Sequence, residues 1–242
     1  FFIDKPVARA RMYMVGLGLY ELYLNGQRQG EECLLPGFCD YDVWIPYQTF
    51  PLELSRGENE VRIYLGDGWY KGAYGLRKKE ENYGDRLACI GELHIWFTDG
   101  TSTKILTDSS WLAQTSPVTA SGIYSGEVYD PAAEGIKQYG VEEISLAKEK
   151  LMPRLNPPIT VERKISPQAL LYTPAGEWVL DMGQNMVGWL EFACREPAGT
   201  KIFLQFGEIL QDGNFYRDNL RTAEASFTYL SDGKERLVRQ HF

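Results

Sequence analysis

Hydrophobic residues in this chain recur at every second position, and turn signals interrupt them at short intervals. Between Arg9 and Val15, Ala10, Met12 and Met14 fall on one face. Tyr20 to Leu24 leads into Asn25-Gly26, a pair that tolerates positive φ at both positions and so closes a two-residue hairpin. Glu60 to Leu65 alternates and stops at Gly66-Asp-Gly68. Leu87 to Phe97 reads as a long strand that turns at Asp99-Gly100 into Ser102 to Thr107. A period of two places side chains on alternate faces of a pleated strand, whereas a helix needs a period of 3.6. Further strands are predicted at Ile159 to Ile165, Glu177 to Leu180, Trp189 to Cys194, Lys201 to Phe206, Ser226 to Leu230 and Leu237 to Phe242. Short strands with turns at this spacing predict an all-β protein of sandwiches or jelly rolls.

One segment breaks the pattern. Ala132 to Leu151 mixes Glu142, Glu143, Lys148, Glu149 and Lys150 with Ile144, Leu146 and Leu151, as a short helix or an exposed linker would. Met152 to Ile159 follows with three prolines, which cannot donate to a ladder, and reads as an extended connection. The expected division is a sandwich over residues 1–139, a partly helical linker over 140–155 and a second sandwich over 156–242. The first and last residues both read as strand interior. Uncovered edges at Lys201 to Phe206, Ser226 to Leu230 or Leu237 to Phe242 would then favour self-association.

Composition narrows the function classes. The net charge is −8, and no Lys/Arg run offers an electrostatic footprint for nucleic acid. No apolar run approaches the roughly 20 residues that span a bilayer. No signal-peptide pattern is visible, and the sequence does not indicate a compartment. The four cysteines, Cys33, Cys39, Cys89 and Cys194, form no CxxC or Cys/His cluster. Cys33 and Cys39 are close enough in sequence to bridge or to stay reduced, and Cys89 alternates with core positions. With only His94 and His241 there is no His-rich metal site, and a Ser-His-Asp triad has little to draw on. Gly66-Asp-Gly68 lacks the spacing of a phosphate loop.

Three groups of polar and aromatic residues stand out. In Asp181-Met-Gly-Gln-Asn-Met-Val-Gly-Trp189, Gly183 and Gly188 bracket the polar Gln184-Asn185 pair between two apolar runs, with Asp181 just before them. They suit either a turn that satisfies its own backbone or a surface packed on another domain. Glu208, Asn219 and Arg221, near the Asp212-Gly213 turn, suit a buried polar network or the same bracing role. Trp69, Tyr70, Tyr74, Asp85, Tyr124, Glu127 and Asp130 combine aromatic faces with carboxylates. That combination serves a sugar site or, more plainly, a packed loop.

These motifs, taken with Leu17-Gly-Leu-Tyr20, Glu21-Leu-Tyr-Leu-Asn-Gly26, Leu65-Gly-Asp-Gly-Trp-Tyr-Lys-Gly72, Tyr83-Gly-Asp-Arg86 and Tyr124-Ser-Gly-Glu-Val-Tyr-Asp130, resemble the bacterial α-L-rhamnosidases in the family's own order. The resemblance implies a jelly-roll, galactose-binding-like domain followed by a concanavalin-like β-sandwich. It also implies that the acid and base lie on an (α/α)6 helical barrel beyond this sequence, so no catalytic residue is expected here. The implied role is a non-catalytic part of an inverting glycoside hydrolase of terminal α-L-rhamnosides, supporting the barrel and contacting rhamnose-containing glycans. A carbohydrate-binding module and a scaffold domain without sugar contact are the alternatives. Some relatives use their N-terminal jelly roll as a calcium-dependent rhamnose binder. Here Gly122 and Ser125 stand where such loops carry oxygen-rich side chains, which leaves Glu127 to hold at most a weak calcium ion and predicts no cofactor.

Overall fold

The computed structural model describes residues 1–242 throughout, and its architecture is nearly all-β. Helical structure is confined to one turn at Gly68–Lys71 and the short 3-10 turns Pro131–Ala133, Lys148–Lys150 and Asp218–Leu220.

The first region is a sandwich. A five-stranded sheet runs in the order Leu151–Pro153, Ile45–Leu52, Val7–Leu17, Ala88–Phe97, Ser102–Leu106. It faces a three-stranded sheet ordered Gln27–Arg28, Leu19–Leu24, Val61–Gly66. Between the sheets lie the side chains that the alternation predicts. Ala10, Met12 and Met14 of the central strand meet Leu22, Leu24, Phe50, Leu93 and Ile95 in one buried cluster. On the far side of the larger sheet, Val15, Leu17, Cys39, Tyr41 and Ile45 form a smaller cluster. That cover explains why the end of Val7–Leu17 is buried on both faces and loses its alternation. The Asn25-Gly26 hairpin has φ of 50° and 78°, as a primed turn requires.

A four-stranded sheet follows, ordered Val118–Gly122, Gly126–Tyr129, Ser226–Leu230, Lys201–Gln205. Gly126–Tyr129 and Ser226–Leu230 pair in parallel, with Glu127 opposite Phe227. Two strands from each side of the expected linker therefore share one sheet. Gly126 makes the approach possible. Its φ is +87°, and a Cβ there would lie 1.8 Å from the carbonyl oxygen of Ser226. The rest of the second region consists of two-stranded sheets: Ala169–Tyr172 with Trp178–Asp181, Glu191–Cys194 with Arg236–Arg239, and Ile209–Gln211 with Asn214–Tyr216. Its buried cluster contains only Cys194, Phe227, Tyr229 and Val238.

Several expectations are corrected. Ile159 to Ile165 forms no strand, since no neighbouring strand offers it a ladder; Ile159 is tied by its carbonyl to the Cys33 N–H. Leu151–Pro153, within the expected connection, is a strand at the edge of the large sheet, where a proline is tolerated. Ser226–Leu230 lies inside its sheet and is not an open edge, although Lys201–Gln205 is an outer strand. The segment from Leu237 does not end as a free strand, because His241 and Phe242 turn inward against the first region. Cys33 and Cys39 are both free and buried, and burial pushes the Cys39 thiol up to about 12. No helix is long and apolar enough to cross a membrane.

Candidate functional site at the seam between the two regions

The chemistry of the seam centres on two buried carboxylates. Glu127, on Gly126–Tyr129, and Glu21, on Leu19–Leu24, are each only 2 % exposed. Glu127 accepts the backbone N–H groups of His241 and Phe242 on Oε2, each at 2.8 Å. Its Oε1 is buried without a partner. Glu21 accepts from Arg28 Nε at 2.9 Å on Oε1, and from the Tyr23 hydroxyl and His241 Nδ1 at 2.8 Å on Oε2. Arg239 stands 3.5 Å from the same carboxylate. The His241 ring lies flat on Tyr129, with centroids 5.4 Å apart and planes within 3°, and meets Tyr64 edge-on at 6.0 Å. The Phe242 ring fills the space that a side chain at Gly66 would take. One dipeptide of the second region is thus held by its backbone, its imidazole and a neighbouring ring.

The two acids differ in electrostatics. Desolvation pushes Glu127 up to about 7, against the pull of His241 and the two N–H donors. Burial also opposes ionisation of Glu21, yet the His241 hydrogen bond and charge, Arg28 and Tyr23 hold its carboxyl below the usual range. A carboxylate with three donors keeps its charge, whereas one with an orphaned oxygen tends to lose it.

Of the sugar site, weak calcium site or packed loop that the sequence offers, Glu127 is in a packed position: it is turned into the seam, where only 2 % of it is exposed. Tyr124 offers its carbonyl oxygen to the N–H groups of Glu224 and Ala225, so its loop is also part of the seam. Asp130 caps the Pro131–Ala133 turn by accepting from Ala132 N at 2.9 Å. Tyr70 packs among Tyr41 and Tyr83, the latter stacked at 6.4 Å. Trp69 meets Phe38 edge-on at 5.8 Å. Tyr74 sits in a small turn whose neighbours reach the second region, as Gly75 O accepts from Thr222 and Lys78 pairs with Glu224. Asp85 is exposed. The loop 67–85 and the turn 121–125 do meet, since Ser121 Oγ accepts from Asp67 N at 3.2 Å. What they build is a contact between regions, with the aromatic rings packed on one another.

The second region's candidates lie on its surface. Asp181 closes its own turn by accepting from Gly183 N at 2.7 Å, and Gln184 accepts from Arg163 at 2.9 Å. Asn185 is exposed. Asn219 donates to Glu208 at 2.8 Å. Arg221 is exposed in left-handed backbone at φ 59° and makes no bond to Glu208. The buried polar network expected of Glu208, Asn219 and Arg221 is therefore a solvated pair beside a free cation. The buried network was missed because its members, Glu21, Glu127 and His241, lie far apart in sequence. The local signals are Glu127 in its motif and Glu21 inside an otherwise apolar strand.

A cleft of about 680 Å³ lies beside the seam, lined by residues that include Arg62, Glu134, Asp232, Lys234 and Arg236. Its acids are ion-paired: Glu134 with Arg62 at 2.6 Å and Asp232 with Arg236 at 2.6 Å. The hydrogen bond from Arg236 holds Asp232 down at about 2.

Comparison with known proteins gives this arrangement its setting. The family model of the α-L-rhamnosidase N-terminal domain matches residues 5–163. That of the bacterial α-L-rhamnosidase concanavalin-like domain matches residues 171–242. The chain belongs to the α-L-rhamnosidase family. An α-L-rhamnosidase of Streptomyces avermitilis is 34 % identical over 95 % of this chain, which corresponds to 24 % of that protein. The crystal structure of the native α-L-rhamnosidase from Aspergillus terreus superposes with a TM-score of 0.96 at 32 % identity, covering all of this chain and 30 % of that one. The Streptomyces avermitilis enzyme complexed with L-rhamnose superposes with a TM-score of 0.93 at 32 % identity, covering all of this chain and 25 % of that one. The chain thus spans about a quarter of the length of the curated relative.

Proposed function

We propose that this chain is the non-catalytic β-region of an α-L-rhamnosidase and that it supports a catalytic domain carried by the same polypeptide. The carrying observation is the pair of family matches, in order and over nearly all of the chain, to the two β-domains of these enzymes. The site chemistry agrees. An inverting glycosidase needs a protonated acid and an ionised base about 6.5–9.5 Å apart across an accessible sugar. Asp232 is held ionised in its ion pair. Glu127, the acid pushed up by burial, has no access to a ligand. The seam is built to join, not to cleave, and its aromatic rings are occupied with each other. The test is an assay of the complete gene product on an aryl α-L-rhamnoside. Release of rhamnose with inversion, retained in Asp232→Asn and Glu134→Gln, is expected. No turnover, or loss of turnover with stability intact in either variant, would overturn the reading.

A further inference from the structure

The hairpin Ala169–Tyr172/Trp178–Asp181 presents an apolar face with nothing on it. In its register Leu170 opposes Leu180 and Tyr172 opposes Trp178, so all four side chains project from one side. They are 60, 45, 64 and 68 % exposed. The face is preformed. Tyr172 and Trp178 pack at 4.8 Å between centroids. The loop is pinned from below by Glu177, which accepts from Thr173 Oγ1 at 2.9 Å and from Phe215 N at 3.1 Å, and by Asn214, which accepts from Ala175 N at 2.9 Å. Two rings and two leucines on a lone two-stranded sheet lack the further strand or packing partner that such a hairpin needs for stability.

We propose that this face is an interaction surface covered by further chain of the same polypeptide, which contributes an apolar face of its own. The occupant follows from the comparisons. The solved relatives superpose over the whole of this chain, yet it accounts for only 25–30 % of their lengths, so in them the same hairpin belongs to a much larger polypeptide. A second copy of the chain is the competing occupant. The inference rests on the proposed function, because it takes the longer polypeptide as given. It adds the surface: the aromatic hairpin makes the contact, while the polar Asp181–Asn185 turn stays in solvent.

Hydroxyl-radical footprinting of the complete gene product, native and urea-unfolded, tests this, with rhamnosidase activity read on the same preparation. Unfolding should raise labelling of Tyr172 and Trp178 about ten-fold, at every protein concentration, as for side chains removed from water. Native labelling close to the unfolded level would overturn the inference, even with activity present. Protection that fades on dilution would assign the face to a second copy and also overturn it. Protection without activity would support the covered face while sinking the proposed function. Trp178→Asp should lower the thermal midpoint of the complete protein, and an unchanged midpoint would count against the contact.

Discussion

The two regions bury their hydrophobic residues to very different degrees. The first closes two sheets over a twelve-residue cluster backed by another of five. The second has four buried residues in its cluster and three separate two-stranded sheets. The difference lies in what each region leans on. Met12, Leu22 and Ile95 are held by neighbours within their own sandwich. Phe227 and Tyr229 sit in a sheet half of whose strands come from before residue 130. The second region is organised from outside itself, through the parallel pairing at Gly126 and the clasp of Glu127 and Glu21 on His241 and Phe242.

The comparison can be broken most forcefully at Gly126. Gly126→Ala places a Cβ on the Ser226 carbonyl and strains a positive φ, and should cost the second region about 4 kcal/mol. Chemical denaturation should show that region melting early while the first keeps its transition; one unsplit transition would show a single unit. Leu22→Ala removes a fully buried side chain from the first region, and should cost about 3 kcal/mol there. Loss confined to the second region would contradict the assignment. Glu127→Ala leaves the N–H groups of His241 and Phe242 buried and unpaired, at a cost of about 2 kcal/mol. A thermal midpoint equal to that of the native protein would show that the clasp does not hold the seam.

The pH dependence sharpens the same comparison. Glu127 is pushed up in the folded state, so its contribution is full below the ordinary carboxyl range and is lost as pH rises through about 7. Glu21 is held down, so its contribution is present above the ordinary range and is lost as pH falls through its lowered value. The seam should therefore be firmest in mildly acidic solution. The thermal midpoint of the second region should fall between about pH 5 and about pH 8, and Glu127→Gln should flatten that fall. An equal slope in the variant would place the titration elsewhere. The smallest effect belongs to Lys78→Ala, which severs an exposed pair with Glu224 across the seam and should cost under about 0.5 kcal/mol.

The fold was largely legible because strand alternation is a local signal. Val7–Leu17, Leu19–Leu24 and Ala88–Phe97 follow from period two and from Asn25-Gly26. Ile45–Leu52 is absent from the strands that the sequence predicts, although its burial alternates from Tyr47 onward. Its two prolines lie in register with Met152 (Pro46) and Arg11 (Pro51). The site was far less legible. Glu127 was marked by its motif, but its burial depends on His241, 114 residues later. Glu21 is buried by partners as distant as His241, 220 residues later. Residues that the motifs made prominent, such as Glu208 and Arg221, are solvent-exposed, because a pattern along the chain carries no information about which face another region will cover.

Native-state amide exchange on the complete protein, with and without Glu127→Ala, tests the central claim most directly. The variant should speed exchange at Phe227, Tyr229 and Val238 while leaving Met12, Leu22 and Ile95 as slow as in the native protein. Equal acceleration at both sets would show that the two regions open as one, and that the seam is not what holds the second to the first.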